Sequence, residues 1–72
     1  MRRLEMTDAQ VLAEAIKNRR AKETLEQAVG RTVRGRAGKF QDYMRIMENV
    51  RHLAETKGIT IDEAAKELAN QP

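Results

Sequence analysis

The stretch from Phe40 to Ala54 constrains the fold most, because its apolar residues recur every three or four positions. This spacing is typical of a helix that has one apolar side and one polar side. The apolar side consists of Phe40, Tyr43, Met44, Met47, Val50 and Ala54, with Ile46 and Leu53 widening it. Since an apolar side has to be buried against another element, we expect this helix to supply the main packing surface.

Capping signals place two more helices. Thr7 and Gln10 in the segment TDAQ have the spacing of a capping box, and so do Thr60 and Glu63 in TIDE. Such boxes stand at helix starts, so we predict helices over about residues 8–18 and 61–70. The glycine at position 58 suits the end of the long helix, which we predict over residues 40–57.

A fourth helix is indicated by a change of phase. Leu25 follows Ile16 by nine residues, which would put the two on opposite sides of one straight helix. The first helix therefore ends or bends near Asn18–Arg20, and Ala21 and Leu25 share a new apolar side. We predict a second helix over residues 21–29 and a basic Gly/Arg segment over residues 30–39.

Together these patterns predict a single all-α domain over residues 1–72, a small bundle of three to four helices. A chain this short buries only about 60% of the surface that its unfolded form exposes. We therefore expect homo-oligomerisation to complete the core. The expected oligomer or partner interface is Phe40, Tyr43, Met44, Met47 and Val50.

Composition argues against several classes of function. The chain has no cysteine and no serine, so it lacks the usual nucleophiles and thiolate metal ligands. Its single histidine, His52, has Glu48 four residues before it, and two ligands do not make a metal site. We expect no enzyme, no metal, no cofactor and no small-molecule substrate. No apolar run is long enough for a membrane helix, and we expect a cytoplasmic protein.

Positive charge is concentrated in one third of the chain. The whole sequence carries a net charge of +3, whereas residues 17–39 alone carry eight cations and two acids. Such asymmetry is informative about partners rather than about fold. The candidate phosphate-binding residues in this region are Arg19, Arg20, Lys22, Arg31, Arg34, Arg36 and Lys39.

The segment GRTVRGRAGKF, residues 30–40, has three open interpretations. It is a solvated linker with Gly30 ending the preceding helix, a contact for nucleic-acid phosphates, or a continuation of helix. The third is suggested by the helical spacing of Val29, Val33, Ala37 and Phe40, at a cost of about 1 kcal/mol per glycine. A P-loop is excluded because no Ser or Thr follows Gly38-Lys39.

The leading hypothesis is a small nucleic-acid-binding accessory or regulatory protein that contacts the phosphate backbone of DNA or RNA. The alternative is a helical protein-interaction module. It would be an adaptor, an inhibitor or a structural component of a larger, phage-like or mobile-element assembly. Its apolar stripe from Phe40 to Ala54 would meet a partner helix, and its arginines an acidic protein surface.

The closing segment KGITIDEAAKELANQP resembles the opening helix of the helix-turn-helix unit in bacterial regulators. Those helices often begin with a Thr or Ser cap followed by E-A-A-x-x-L, which matches Thr60 and Glu63–Leu68 here. The resemblance implies a helix that supports a DNA-reading helix, and no such helix follows in the sequence. The alternative is a well-capped helix made of residues that favour helix.

Overall fold

Four α-helices form the secondary structure of the computed structural model, which describes residues 6–71. They are α1 (Asp8–Asn18), α2 (Leu25–Gly35), α3 (Phe40–Lys57) and α4 (Ile61–Ala69). No strand occurs within these residues. The prediction of an all-α fold with three to four helices is confirmed. The predicted ranges 8–18 and 40–57 coincide with α1 and α3, and 61–70 exceeds α4 by one residue.

The second helix begins four residues later than predicted. A capping box that the sequence analysis missed sets its start. The Gln27 N–H donates to Thr24 Oγ1 at 3.1 Å, and the Thr24 N–H donates to Gln27 Oε1 at 2.9 Å. Residues 21–23 lie before this cap, with a turn at residues 21–22, and Ala21 is exposed.

The second helix also ends later than predicted, at Gly35. Gly30 lies inside α2, so it does not terminate a helix as the linker interpretation required. The predicted basic segment 30–39 thus divides into a helical part, residues 30–35, and a turn, residues 36–39. The continuous-helix interpretation is correct up to Gly35 and wrong beyond it.

A Schellman-type turn stops α2. The Gly38 N–H donates to the Val33 carbonyl at 2.8 Å, and the Ala37 N–H donates to the Arg34 carbonyl at 3.2 Å. Ala37 has φ 59°, a left-handed conformation that ends the helix. This turn separates α2 from α3, which begins at Phe40.

All four helices contribute to one hydrophobic core, in which α1 packs on α2 and α4, and α3 packs on the same two helices. The buried residues are Val11, Leu12, Ala15, Leu25, Ala28, Val29, Val33, Ile46, Met47, Val50, Ala54, Ala64 and Ala65. A single chain thus assembles this core by itself. Homo-oligomerisation stays a prediction.

The residues predicted as an oligomer or partner interface separate into buried and exposed ones. Met47 and Val50 are fully buried in the chain's own core, which leaves them no side-chain surface for a partner. Phe40 and Met44 are exposed, and Tyr43 is partly buried against the core. Because the buried side of α3 is centred on Ile46, Met47 and Val50, the side chains of Phe40 and Met44 remain exposed.

Ion pairs join the helices at the surface of the bundle. Arg45 Nη2 donates to Asp8 Oδ1 at 2.9 Å, linking α3 to the first turn of α1. Lys57 pairs with Glu67 and so links the end of α3 to α4. Within residues 6–71, no helix has the length and apolar character needed to cross a membrane.

Candidate nucleic-acid interface

The seven cations predicted to contact phosphates form two groups. Three of them are ion-paired with carboxylates of the same chain: Arg19 with Asp62, Arg31 with Glu23, and Arg36 with Glu14. Each of these guanidinium groups already has a negatively charged partner. An added phosphate would have to compete with that partner, so these three arginines are poorly placed for phosphate binding.

Arg31 has a structural role in the loop between α1 and α2. Its Nε and Nη2 atoms donate to the two carboxylate oxygens of Glu23 at 3.0 and 2.8 Å. The same Nη2 donates to the Asn18 carbonyl at 2.9 Å. One side chain on α2 therefore holds both the last residue of α1 and the loop residue Glu23.

The Glu23 carboxylate is strongly stabilised in its charged form. The hydrogen bonds from Arg31, together with the backbone N–H of Arg20, lower the pKa of Glu23 from 4.5 to about 2. Arg31 in turn has its pKa raised by Glu23. Although Glu23 lies among the basic residues, its charge is thus neutralised by a dedicated partner.

Arg19 and Arg36 also link segments of the chain that are distant in sequence. Arg19 Nε donates to the Glu23 carbonyl at 2.8 Å, and its Nη1 donates to Asp62 Oδ1 at 3.1 Å, at the start of α4. Arg36 makes two hydrogen bonds to Glu14, which join the turn after α2 to α1. The hydrogen bond from Arg36 lowers the pKa of Glu14.

The other four cations, Arg20, Lys22, Arg34 and Lys39, line one open groove of about 980 Å³. Within residues 6–71, none of the four is ion-paired with a carboxylate. They come from three places in the chain: the loop after α1, the exposed side of α2, and the residue before α3. The fold therefore brings together cations that are up to nineteen positions apart.

The groove is positively charged overall. Five cations line it, the fifth being Arg31, against the two carboxylates of Glu23 and Glu26. Because Arg31 neutralises Glu23, the groove keeps the charge of the four unpaired cations against that of Glu26. A concave surface of one charge concentrates oppositely charged ligands.

Two aromatic residues also line the groove, at the start of α3. The rings of Phe40 and Tyr43 are stacked, with centroids 5.8 Å apart and planes 26° apart. Phe40 is 72% exposed, whereas Tyr43 packs against the core. Tyr43 also lies beside Gly30, where a Cβ atom would be 3.8 Å from the tyrosine ring.

No protein-family model, curated protein or solved structure matches this chain.

Sequence reasoning assigned Phe40 and Tyr43 to the apolar stripe of α3 and missed their place beside the cations. The adjacent pair Lys39-Phe40 is the signal that could have indicated it, because it places a cation directly before an aromatic residue in the sequence. The ion pairs of Arg19 and Arg36 had no comparable signal. Their partners lie 43 and 22 positions away in the sequence.

His52 and Glu48 are both exposed on α3. Within the described part of the chain, no group of three or more His, Cys, Asp or Glu residues is arranged to hold a metal ion.

Proposed function

We propose that this protein binds nucleic acid, with the phosphate backbone lying in the groove lined by Arg20, Lys22, Arg34 and Lys39. The observation that carries the proposal is that these four cations share one concave surface and that, within residues 6–71, their charged side chains form no ion pair with a carboxylate. Phosphate contacts position a protein without reading bases. We therefore expect an accessory binding protein with little sequence selectivity.

The free energy of such binding comes mainly from counterion release. Each phosphate that a Lys or Arg neutralises frees condensed cations into the solvent. The four unpaired cations of the groove can neutralise phosphates without first breaking an ion pair inside the protein. Arg19, Arg31 and Arg36 would each have to leave a carboxylate, which supports a footprint of four cations rather than seven.

The protein-interaction alternative is less well supported by the packing. It relied on the apolar stripe of α3, yet Met47 and Val50 are fully buried inside the chain. Phe40 and Met44 are its exposed large apolar residues within the described part of the chain. An acidic protein surface would still satisfy the cations, so a polyglutamate competitor belongs in the test.

The first prediction concerns salt. We expect the affinity for a fluorescent DNA or RNA oligonucleotide, measured by anisotropy from about 50 to 200 mM salt, to fall steeply. Four neutralised phosphates correspond to a slope of log K against log salt of about −3.6 for duplex and about −2.8 for single strands. Absence of binding at the lowest salt, or affinity that does not change with salt, would contradict the proposal.

A matched pair of variants tests the location. Arg34→Ala should reduce the magnitude of the slope by about 0.7–0.9, the contribution of one phosphate. Arg51→Ala removes the same charge from an exposed position on α3 that does not line the groove, and should leave the slope nearly unchanged. Equal effects of the two variants would point to net charge rather than to the groove. Tighter binding of polyglutamate than of the oligonucleotide would favour the protein-interaction alternative.

A further inference from the structure

We infer that the groove takes single-stranded nucleic acid in preference to duplex, with a base stacked on Phe40. This inference rests on the proposed function and names its substrate class. It is carried by the exposed aromatic ring that lines the same groove as the four unpaired cations.

Phe40 presents an exposed aromatic ring in the cationic groove. Phe40 keeps 72% of its surface in contact with solvent. Its ring is held against Tyr43, which is itself packed on the core, so the ring has a fixed support. An exposed aromatic ring that is held in place by its neighbours is suited to stacking against a base.

The neighbouring residues fit the two parts of a nucleotide. Lys39 precedes Phe40 directly and both line the groove, so the groove offers a cation for a phosphate and an aromatic ring for a base. Arg34 and Lys22 line the same groove and can contact adjacent phosphates of the strand. The groove volume of about 980 Å³ is large enough for a nucleotide, since pockets for drug-sized ligands are about 300–1,000 Å³.

Stacking on Phe40 requires a base whose face is free. Inside a duplex both faces of each internal base are covered by its neighbours, and exposing one costs unstacking and unpairing energy. In a single strand the bases can be splayed out and stacked on aromatic side chains. A duplex could therefore use the cations of the groove but not the ring.

The experiment compares an oligothymidylate of about 12 nucleotides, within the usual site sizes of single-strand binders, with a duplex of equal length. Affinities are measured by fluorescence anisotropy at one low salt concentration. We expect the single strand to bind more tightly. Phe40→Leu, which keeps an apolar side chain but removes the ring, should weaken single-strand binding roughly 5- to 150-fold, the usual effect of losing one base stack.

Two further variants control this result. Met44→Leu changes another exposed apolar residue of α3 that does not line the groove, and it should leave both affinities unchanged. Phe40→Trp should retain single-strand binding. Because the chain has no tryptophan, this variant has a single one, whose emission should be quenched when a base stacks on it.

The outcomes separate this inference from the proposed function. If neither oligonucleotide binds, the proposed function itself fails. If both bind with equal affinity, or if Phe40→Leu leaves single-strand binding intact, the groove binds phosphates without stacking and this inference is overturned. Quenching of the Phe40→Trp variant by the single strand but not by the duplex would support the inference independently of the affinities.

Discussion

Between Met6 and Gln71, two residues adopt a left-handed conformation at a helix end, and only one of them is a glycine. Gly58, after α3, has φ 64°, and Ala37, after α2, has φ 59°. The turn that Gly58 begins is completed by the Ile59 N–H, which donates to the Ala54 carbonyl at 3.0 Å. Glycine adopts this conformation without steric penalty, whereas the Cβ atom of alanine clashes with the backbone.

These two positions predict opposite effects of exchanging alanine and glycine. Ala37→Gly should raise the free energy of unfolding by about 1 kcal/mol, and Gly58→Ala should lower it by about the same amount. Urea denaturation followed by circular dichroism measures both. A loss of stability in Ala37→Gly would show that the strain at this turn is outweighed by the entropy of the unfolded chain.

At the scale of elements, the start of α2 depends on a single capping box. Thr24 and Gln27 exchange hydrogen bonds there, in the same way as Thr7 with Gln10 and Thr60 with Glu63. The segment TLEQ carries this signal in the sequence as clearly as TDAQ does. The apolar spacing that includes Ala21 indicated an earlier start, but the helix begins after the cap at Thr24.

The cap can be tested by substitution. Thr24→Ala should lower the free energy of unfolding by about 1 kcal/mol, because the Gln27 N–H loses its acceptor. Thr24→Ser keeps a hydroxyl at the same position and should recover most of the loss. Thermal or urea denaturation distinguishes the two variants. Equal destabilisation by both would mean that the threonine methyl group, not the hydrogen bond, supports the turn.

The elements also show what the sequence could and could not predict. Periodicity and caps were sufficient for α1, α3 and the start of α4, because those signals are local. The end of α2 was missed because Gly30 was taken as the glycine that ends the helix, whereas Ala37 occupies the left-handed position. The charge cluster was visible in the sequence, but its division into paired and unpaired cations depends on contacts such as Arg19 with Asp62, which only the fold creates.

At the scale of the whole molecule, carboxylates hold the parts of the bundle together in their charged form. Hydrogen bonds from Arg36 lower the pKa of Glu14, and those from Arg31 lower the pKa of Glu23 to about 2. Backbone N–H groups at helix starts lower the pKa of Asp42 and of Glu63. Since the unfolded chain then binds more protons than the folded one in acid, the stability of the fold should decrease as pH falls.

The contribution of Glu23 has a definite pH window. It is fully present above the ordinary pKa of 4.5 and is lost as pH falls towards about 2. In Glu23→Gln, we expect the free energy of unfolding to depend less on pH across this window than in the natural chain, as measured by urea denaturation at a series of pH values. Glu55→Gln, an exposed position on α3, is the control. An unchanged pH profile in Glu23→Gln would contradict the assigned role of the ion pair with Arg31.

The hydrogen bonds from Arg31 to Asn18 and Glu23 form a clamp, which has a consequence for the proposed binding of anions in the groove. Arg20 and Lys22 belong to the short loop that this clamp restrains, so little backbone freedom remains to be lost when an anion arrives. An acidic residue, Glu23, would therefore support the proposed binding of negatively charged ligands in this groove. Its negative charge weakens the attraction for an anion, but its ion pair with Arg31 restrains the loop. Pre-organised binding sites lose less conformational entropy on association than mobile ones.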